Sequence, residues 1–557
     1  MKLIECVPNF SEGRDMEVID AITAEISATE GALLLDVDPG ATTNRTVVTF
    51  VGTPEAVEEA AFRAISKAAE LIDMSRHSGT HARMGATDVC PFIPVQGATM
   101  EDCIEISKRV GQRVGESLGI PMYLYGHSAT RPERERLPDI REGEYEALEA
   151  KLADSDFAPD FGPAIFNPRA GATAVGAREF LIAWNVNLNT RNRKLAGQIA
   201  MELRETGKLK RDADGKIVRD AERKALREPG RFEALQGGGW YIEEYGRAQI
   251  SFNLMNYEIT SLHAVFDACC EEAEKLGLRV TGSELVGLVP LGAMLAAGDH
   301  YLARQGATTG VAEKERVHSA ALSLGLDDLQ PFDPMENIVE YKYGGAPTGL
   351  KAMTLIDFTD ELASDSFAPG GGSVAALCGA LSAALSAMVA ALTWSKKGME
   401  ETRPLMQQIG GEAQALKDWF TAAVDADTDA FMQVIAASRM PKKTKEEKEA
   451  RLAAIEIANQ GATRIPLDVL ERTVAALRIA KIAAAQGNPA SVSDAGVAGA
   501  CALAAAEGAA LNVEINLASL TDQAVADELS ERRSKALGEA RQLAAAVQEA
   551  VASVMAG

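Results

Sequence analysis

The sequence predicts a multidomain protein, two α/β subdomains followed by an all-α helical bundle. Three observations carry this. Strand-like and helical apolar periods alternate through the first part of the chain, and the same order recurs once. Composition shifts at 343–350, YGGAPTGL, which has the character of a linker. Beyond it the chain is Ala-rich, shows almost no strand pattern and has no histidine, all six lying at or before His318. The expected divisions are 1–177 and 178–342 for the two α/β subdomains, 343–350 for the linker and 351–557 for the helical domain.

In the first subdomain, 2–6 (KLIEC) has strand character and 15–26 has helical spacing. Two strands follow at 32–37 and 45–51, the second rich in β-branched residues. A helix at 54–72 begins with Pro in its first turn, where a missing N–H costs nothing. A strand near 89–95 completes the order βαββαβ, the ferredoxin-like pattern. A helix at 101–118 and a strand at 122–125 extend it. The order recurs with a strand at 180–188, a helix at 194–206, strands at 240–245 and 249–257, a helix at 261–276 and a strand at 278–289. The charge-rich stretch 207–236 reads as a solvated loop or short helix. Beyond the linker, helices are predicted at 352–364, 373–394, 402–437, 445–460, 466–485, 492–511 and 520–555, a bundle.

At 557 residues and 47% hydrophobic composition, the chain can build several cores. A net charge of -24 argues against nucleic acid as the main partner. Seven cysteines without CxxC spacing suit a reducing compartment and no zinc module. The N-terminus, MKLIECVPNF, lacks a signal-peptide pattern, so a cytoplasmic location is expected. Residues 374–394 are uncharged and long enough to span a bilayer. They are mostly Ala, Ser and Gly, which favours a buried helix or subunit interface over a membrane span.

The stretch 73–95, DMSRHSGTHARMGATDVCPFIPV, is the strongest candidate site. His77 and His81 stand four apart, with Arg76 and Arg83 beside them and Gly79 and Gly85 opening the backbone. Imidazole titrates near neutral pH and moves protons, and guanidinium binds carboxylates. A His pair at this spacing can bind metal on a helix. Gly79 between them disfavours a helix and no third ligand is near, so no metal is expected. The plain alternative is a pair of surface histidines on a loop.

A second candidate is the Gly/Pro-rich joint around Asn167 and Arg169, whose backbone N–H groups could face a ligand. A simple linker has the same composition. Neither GxGxxG nor GxxxxGK[ST] occurs in it. A third is Asp427. The helix around it has the apolar stripe Phe420, Val424, Phe431, Val434, and Asp427 stands where that spacing calls for an apolar residue. A carboxylate on a core-facing stripe is desolvated, its pKa rises, and it suits acid–base work. Alternatively the helix is rotated and Asp425, Asp427 and Asp429 all face water.

Long segments of the chain resemble glutamate formimidoyltransferase: VPNFSEG, LLDVDPGATTNRTVVTFVG, the whole 73–95 stretch, APDFGPAIFNPRAGATAVGAREFLIA and SELVGLVPL. SFAPGGGSVAA, VDADTDAF, SDAGVAG and NVEINLASLTD resemble the cyclodeaminase fused to it. The resemblance covers essentially the whole chain. It implies two reactions: transfer of the formimino group from N-formimino-L-glutamate to N5 of tetrahydrofolate, then ring closure to 5,10-methenyltetrahydrofolate with release of ammonia. It further implies folate bound between two α/β subdomains and polyglutamylated tetrahydrofolate as co-substrate, with no metal. The assembly it implies is a homo-oligomer, commonly an octameric ring, acting in histidine degradation and one-carbon metabolism.

By the same resemblance the catalytic histidine falls on His81, with Asp38 and Arg83 orienting it and binding a carboxylate. The folate-binding stretch falls on Gly162, Pro163, Ala164, Ile165, Phe166, Asn167, Pro168, Arg169, Ala170 and Gly171. The cyclodeaminase acid falls on Asp427, the residue the stripe had already singled out. Gly370, Gly371, Gly372 and Asp494 match without an assigned role. The chain departs from the family pattern at Thr80 and Ala82, where Glu and Pro are common. Loss of a carboxylate beside His81 bears on the choice of donor. One other reading is therefore a formyltransferase-like enzyme with a different donor; a reading of another class is an oligomeric scaffold with an inactive helical part, against which Asp427 speaks, since an apolar residue would pack better there. In the 207–236 stretch, Lys208, Lys210 and Arg211 are candidates to meet a polyglutamate tail.

Overall fold

The structure, a computed structural model, describes residues 2–41, 43–79, 82–220, 223–345 and 347–556. It has two compact units, Met1–Ala297 with Ala321–Gly345, and Gly298–Ala320 with Ala346–Gly557. The first is built on β-sheets and the second is helical.

In the α/β unit the first sheet holds β1 (Leu3–Cys6), β2 (Asn9–Phe10), β3 (Ala32–Gly40), β4 (Arg45–Gly52), β5 (Thr87–Gln96), β6 (Met122–Gly126) and β7 (Thr173–Ala177). β1 and β2 are successive pieces of one line between β4 and β5, with β3 outside β4 and β7 then β6 beyond β5. The β5–β7 and β7–β6 pairings are parallel and the rest are antiparallel. Helices α1 (Met16–Ser27), α2 (Pro54–Leu71) and α3 (Met100–Leu118) pack on one face. Thr53 caps α2 by accepting from the Ala56 N–H, and Thr99 and Asp102 form a capping box on α3. Ile4, Cys6, Val48 and Phe50 enter the core with them. The alternate residues of the same strands point to the other face.

The second sheet holds β8 (Ile182–Leu188), β9 (Leu235–Ile242), β10 (Arg247–Leu254) and β11 (Val280–Val286), in the order β9-β10-β8-β11, all antiparallel. Helices α4 (Arg193–Leu203) and α5 (Leu262–Lys275) fill its two crossovers. Between α4 and β9 the stretch expected as a loop or short helix forms short β-pairings instead, Lys208–Leu209 with Arg227–Glu228. Two eight-residue repeats, RDADGKIV and RDAERKAL, lie inside it. Val218 N–H donates to Lys210 and Leu226 N–H to Val218, both at 2.9 Å, so the last residue of each repeat bonds the residue just before that repeat.

Two helices that periodicity did not assign follow, α6 (Leu291–Arg304) and α7 (Glu313–Leu324). The segment between them, within the expected 178–342 subdomain, belongs to the helical unit. Thr308 donates to Gln407 Oε1 at 2.8 Å, Trp394 Nε1 donates to the Gly306 carbonyl at 3.0 Å, and the Gly310 and Gly410 backbones lie close together.

The helical unit continues with α8 (Leu355–Leu362), α9 (Gly371–Trp394), α10 (Arg403–Ser438), α11 (Lys445–Gln486), α12 (Val492–Leu517) and α13 (Gln523–Met555). Its core is dominated by alanine, so the helices approach closely; a Cβ at Gly379 would lie 2.7 Å from the Phe420 ring. Both α9 and the stretch Pro489–Leu517 are long and apolar enough to cross a membrane, and about half of each apolar window is buried within the unit. The sequence pattern had singled out only the first. The break predicted between 460 and 466 is absent, and α11 runs through Pro466. Pro466 lacks the N–H that would bond the carbonyl four residues back. That carbonyl, Ala462, accepts instead from Asn516 Nδ2 at 2.8 Å.

Candidate functional site

Residues of the two sheets and of the chain that joins them line a cleft of ≈ 300 Å³ within the α/β unit. Glu5 and Asn9 reach it from β1 and β2, Asp36 and Asp38 from β3, and Arg45, Val47 and Thr49 from β4. Arg178, Phe180, Ala183 and Leu288 come from the following chain. Asp38 is exposed on this wall. Burial lowers the pKa of Arg45, and Asp88 and Asp38 oppose the shift. Asp88 is itself fully buried against Arg141, and burial raises its carboxyl above the usual range. Burial also pushes the Glu5 carboxyl up to about 7, with Arg178 offsetting part of the shift.

His81 and Thr80 lie outside the described residues. The described residues on the N-terminal side of them, His77 to Gly79, are held against the start of β4. His77 Nε2 is 2.8 Å from the Asn44 carbonyl, Asn44 Nδ2 donates to Ser78 at 3.0 Å, and a Cβ on Gly79 would strike the Thr43 carbonyl. Arg83 is only 8% exposed. Its guanidinium donates to Glu144 at 3.0 Å and to Glu146 at 2.7 and 2.8 Å, and its Nε lies 3.3 Å from His77 Nδ1. Hydrogen bonding to Glu146 is the chief reason its pKa rises. The expected carboxylate receptor is thus committed to protein carboxylates and braces the loop.

The stretch 162–171 lies beside the same loop rather than on the cleft wall. Ala86 N–H donates to the Ala170 carbonyl at 2.8 Å, and Met74 N–H to Arg169 at 2.9 Å. Gly171, at φ +66°, leaves no room for a Cβ against the Met84 carbonyl. Asn167 Oδ1 accepts from the Arg169 and Ala170 N–H groups, a turn that fixes the loop. Ile165 is 70% exposed. Lys208, proposed from sequence as a tail contact, is held by Glu202 at 2.7 Å, and Arg211 donates to Gly215.

The helical unit has its own cavity, ≈ 380 Å³, lined by Gly370, Gly371 and Gly372, by Asp427, Thr428, Phe431 and Val434, and by Asn459, Asn512 and Asn516 among others. The stripe on α10 explains the placement of Asp427. Phe420 and Val424 are buried in the core, Phe431 and Val434 line the cavity, and Asp427 stands at the transition. Asp425 instead accepts from the Leu350 N–H at 2.7 Å, and Asp429 is exposed. Asp427 sits over the N-terminus of α9. Ser373 Oγ lies 3.4 Å from its Oδ2 and 3.0 Å from the Val424 carbonyl, and its one hydroxyl proton is shared between them. Burial raises the Asp427 pKa, while the Ser373 hydroxyl and backbone N–H pull it down.

Periodicity gave no hint of the three asparagines. Each commits its Nδ2 to a carbonyl: Asn459 to Ser519, Asn512 to Gly508 and Asn516 to Ala462, at 2.8–3.0 Å. Their amide oxygens remain as acceptors. Asp494 lies outside this lining, in the first turn of α12, where a negative charge stabilises the helix.

Three family models match the chain: the formiminotransferase domain N-terminal subdomain over residues 3–178, the formiminotransferase domain over 183–344, and formiminotransferase-cyclodeaminase over 354–535. Formimidoyltransferase-cyclodeaminase of Mus musculus is 44% identical over 548 residues, 98% of each chain. Glutamate formimidoyltransferase of Streptococcus pyogenes is 42% identical over 54% of this chain and 93% of its own. Methenyltetrahydrofolate cyclohydrolase of Methylorubrum extorquens is 39% identical over 36% of this chain and 96% of its own. With matches along its full length and in each half, the chain belongs to the formimidoyltransferase-cyclodeaminase family.

Proposed function

We propose that the protein moves the formimino group of N-formimino-L-glutamate to N5 of tetrahydrofolate, then closes 5-formiminotetrahydrofolate to 5,10-methenyltetrahydrofolate with loss of ammonia. The observation that carries the second step is Asp427, a half-buried carboxyl with a raised pKa at a cavity wall and a helix N-terminus. As N10 attacks the amidine carbon, the Asp427 carboxylate takes the N10 proton. It returns that proton to the amino group, and ammonia leaves. One group does both transfers, which suits a pKa above the usual carboxylate range. The asparagine oxygens are placed to accept from the amidinium and the departing ammonia.

For the first step, His81 takes the N5 proton and gives it to the leaving glutamate nitrogen, and Asp38 supports its charge from the cleft wall. Arg83 braces the loop, and Gly162–Gly171 completes the folate-binding side. Each α/β part is a ferredoxin-like βαββαβ unit, divided from the other at 177/178, and the linker at 343–350 leads into the helical part, which also takes in Gly298–Ala320. Exposed Leu381, Leu392, Leu511 and Ile515 on α9 and α12 support a homo-oligomer, proposed as an octameric ring. The tetrahydrofolate is proposed to be polyglutamylated. The setting is proposed to be cytoplasmic, in histidine degradation and one-carbon metabolism. Side-by-side rates with formimino- and formylglutamate test the donor; preference for the formyl compound would reject it.

A further inference from the structure

Glu5 lies on β1 among residues that have no need of a carboxyl. Ile4 and Cys6 on either side enter the core, and Glu5 points the opposite way into the cleft, only 4% exposed. No described residue donates a hydrogen bond to it. The charges that act on it are Arg178 and, more weakly, Glu340. Asp36, Asp38 and Arg45 lie further along the same wall. On the same face, the buried Oδ1 of Asn9 also has no partner. A buried acceptor without a donor costs stability, and an apolar residue would pack here without that cost. The Glu5 oxygens open on the cleft, where the donors of a ligand can reach them.

A carboxylate presents two parallel acceptor oxygens, which match two adjacent N–H donors. The tetrahydropterin ring carries such a pair, N3–H and the 2-amino group, on the edge remote from the reacting end. The cleft volume of ≈ 300 Å³ is at the small end for ligand pockets and suits a bicyclic ring. Register supports the placement. Asn9 pairs with Val47, and Val47 with Asp38, so these two residues stand level on the sheet. Four residues of strand from Glu5 to Asn9 cover ~13 Å. A ligand held at Glu5 and extending toward Asp38 then runs along this wall toward the end where His77 Nε2 meets the Asn44 carbonyl.

We propose that Glu5 recognises the pterin ring of tetrahydrofolate, its carboxylate accepting from N3–H and the 2-amino group, and so sets N5 against the transfer site. This rests on the transferase reading above. The test follows glutamate release by the full chain, with tetrahydrofolate and 2-desaminotetrahydrofolate as acceptors. Wild type should show a KM for the desamino compound at least tenfold above that for tetrahydrofolate. Glu5→Gln should raise the KM for tetrahydrofolate about tenfold, erase the difference between acceptors, and leave the KM for formiminoglutamate within twofold. Equal KM values in wild type, or discrimination retained in Glu5→Gln, would overturn the role of Glu5 and leave the transferase reading standing. No glutamate release from wild type with either acceptor would overturn both. If Glu5→Gln does not fold, the wild-type comparison decides alone.

Discussion

The carboxylate of Asp427 rests against Gly372 so closely that a Cβ there would lie 2.1 Å from its Oδ1. Only glycine lets the acid reach the end of α9. Gly372→Ala should therefore displace Asp427 and lower ammonia release by a factor of ~100 or more, as loss of a positioned acid–base group does. Glutamate release in the first step should stay near wild type. Separate assays of the two products check this.

Ser373 pulls the Asp427 pKa down, by its hydroxyl and its backbone N–H, against the burial that raises it. Ser373→Ala removes the hydroxyl donor, so the pKa should rise further. Ring closure begins with the carboxylate form, so activity falls as pH drops through that pKa. The acid limb of the cyclodeaminase pH profile should thus move to higher pH in the variant. An unmoved limb would remove Ser373 from the account.

Pro466 and Asn516 should be energetically coupled. Asn516→Ala leaves the Ala462 carbonyl without a donor, at a cost of ~1–3 kcal/mol. In a Pro466→Ala background the backbone N–H is restored and Asn516 becomes dispensable for that bond. A double-mutant cycle on denaturant unfolding of the helical unit should give a coupling of ~1 kcal/mol.

Glu5 should cost the fold stability at neutral pH. Its folded pKa of about 7 is above the unfolded value of 4.5, so the folded form holds its proton more tightly. That contribution is fully present below 4.5 and is lost as pH rises through 7, a change of ~3 kcal/mol. Glu5→Gln should match wild type at pH 4.5 and be more stable at pH 8, read by exchange protection of β1 across a denaturant series.

The architecture was largely legible because apolar periods of 2 and 3.6 mark strands and helices directly. What escaped had physical reasons. β7 is TAVGA, too rich in small residues to show alternation, and becomes a strand by pairing between β5 and β6. α11 looked broken at Pro466 because the rescuing donor, Asn516, is fifty residues away in sequence. Asp427 was visible because one acid interrupted a stripe. Glu5 was hidden because a single charge in a four-residue strand reveals nothing of what its free face meets. Arg83 carried the right chemistry for a carboxylate, but its partners, Glu144 and Glu146, lie sixty residues on.

The most direct test of the two-site account is the near-ultraviolet absorbance of methenyltetrahydrofolate formed from formiminoglutamate and tetrahydrofolate. Wild type should produce the signal, His81→Ala should produce neither glutamate nor signal, and Asp427→Asn should release glutamate and stall at the formimino compound. Normal methenyl formation and ammonia release by a folded Asp427→Asn would contradict the account at its centre.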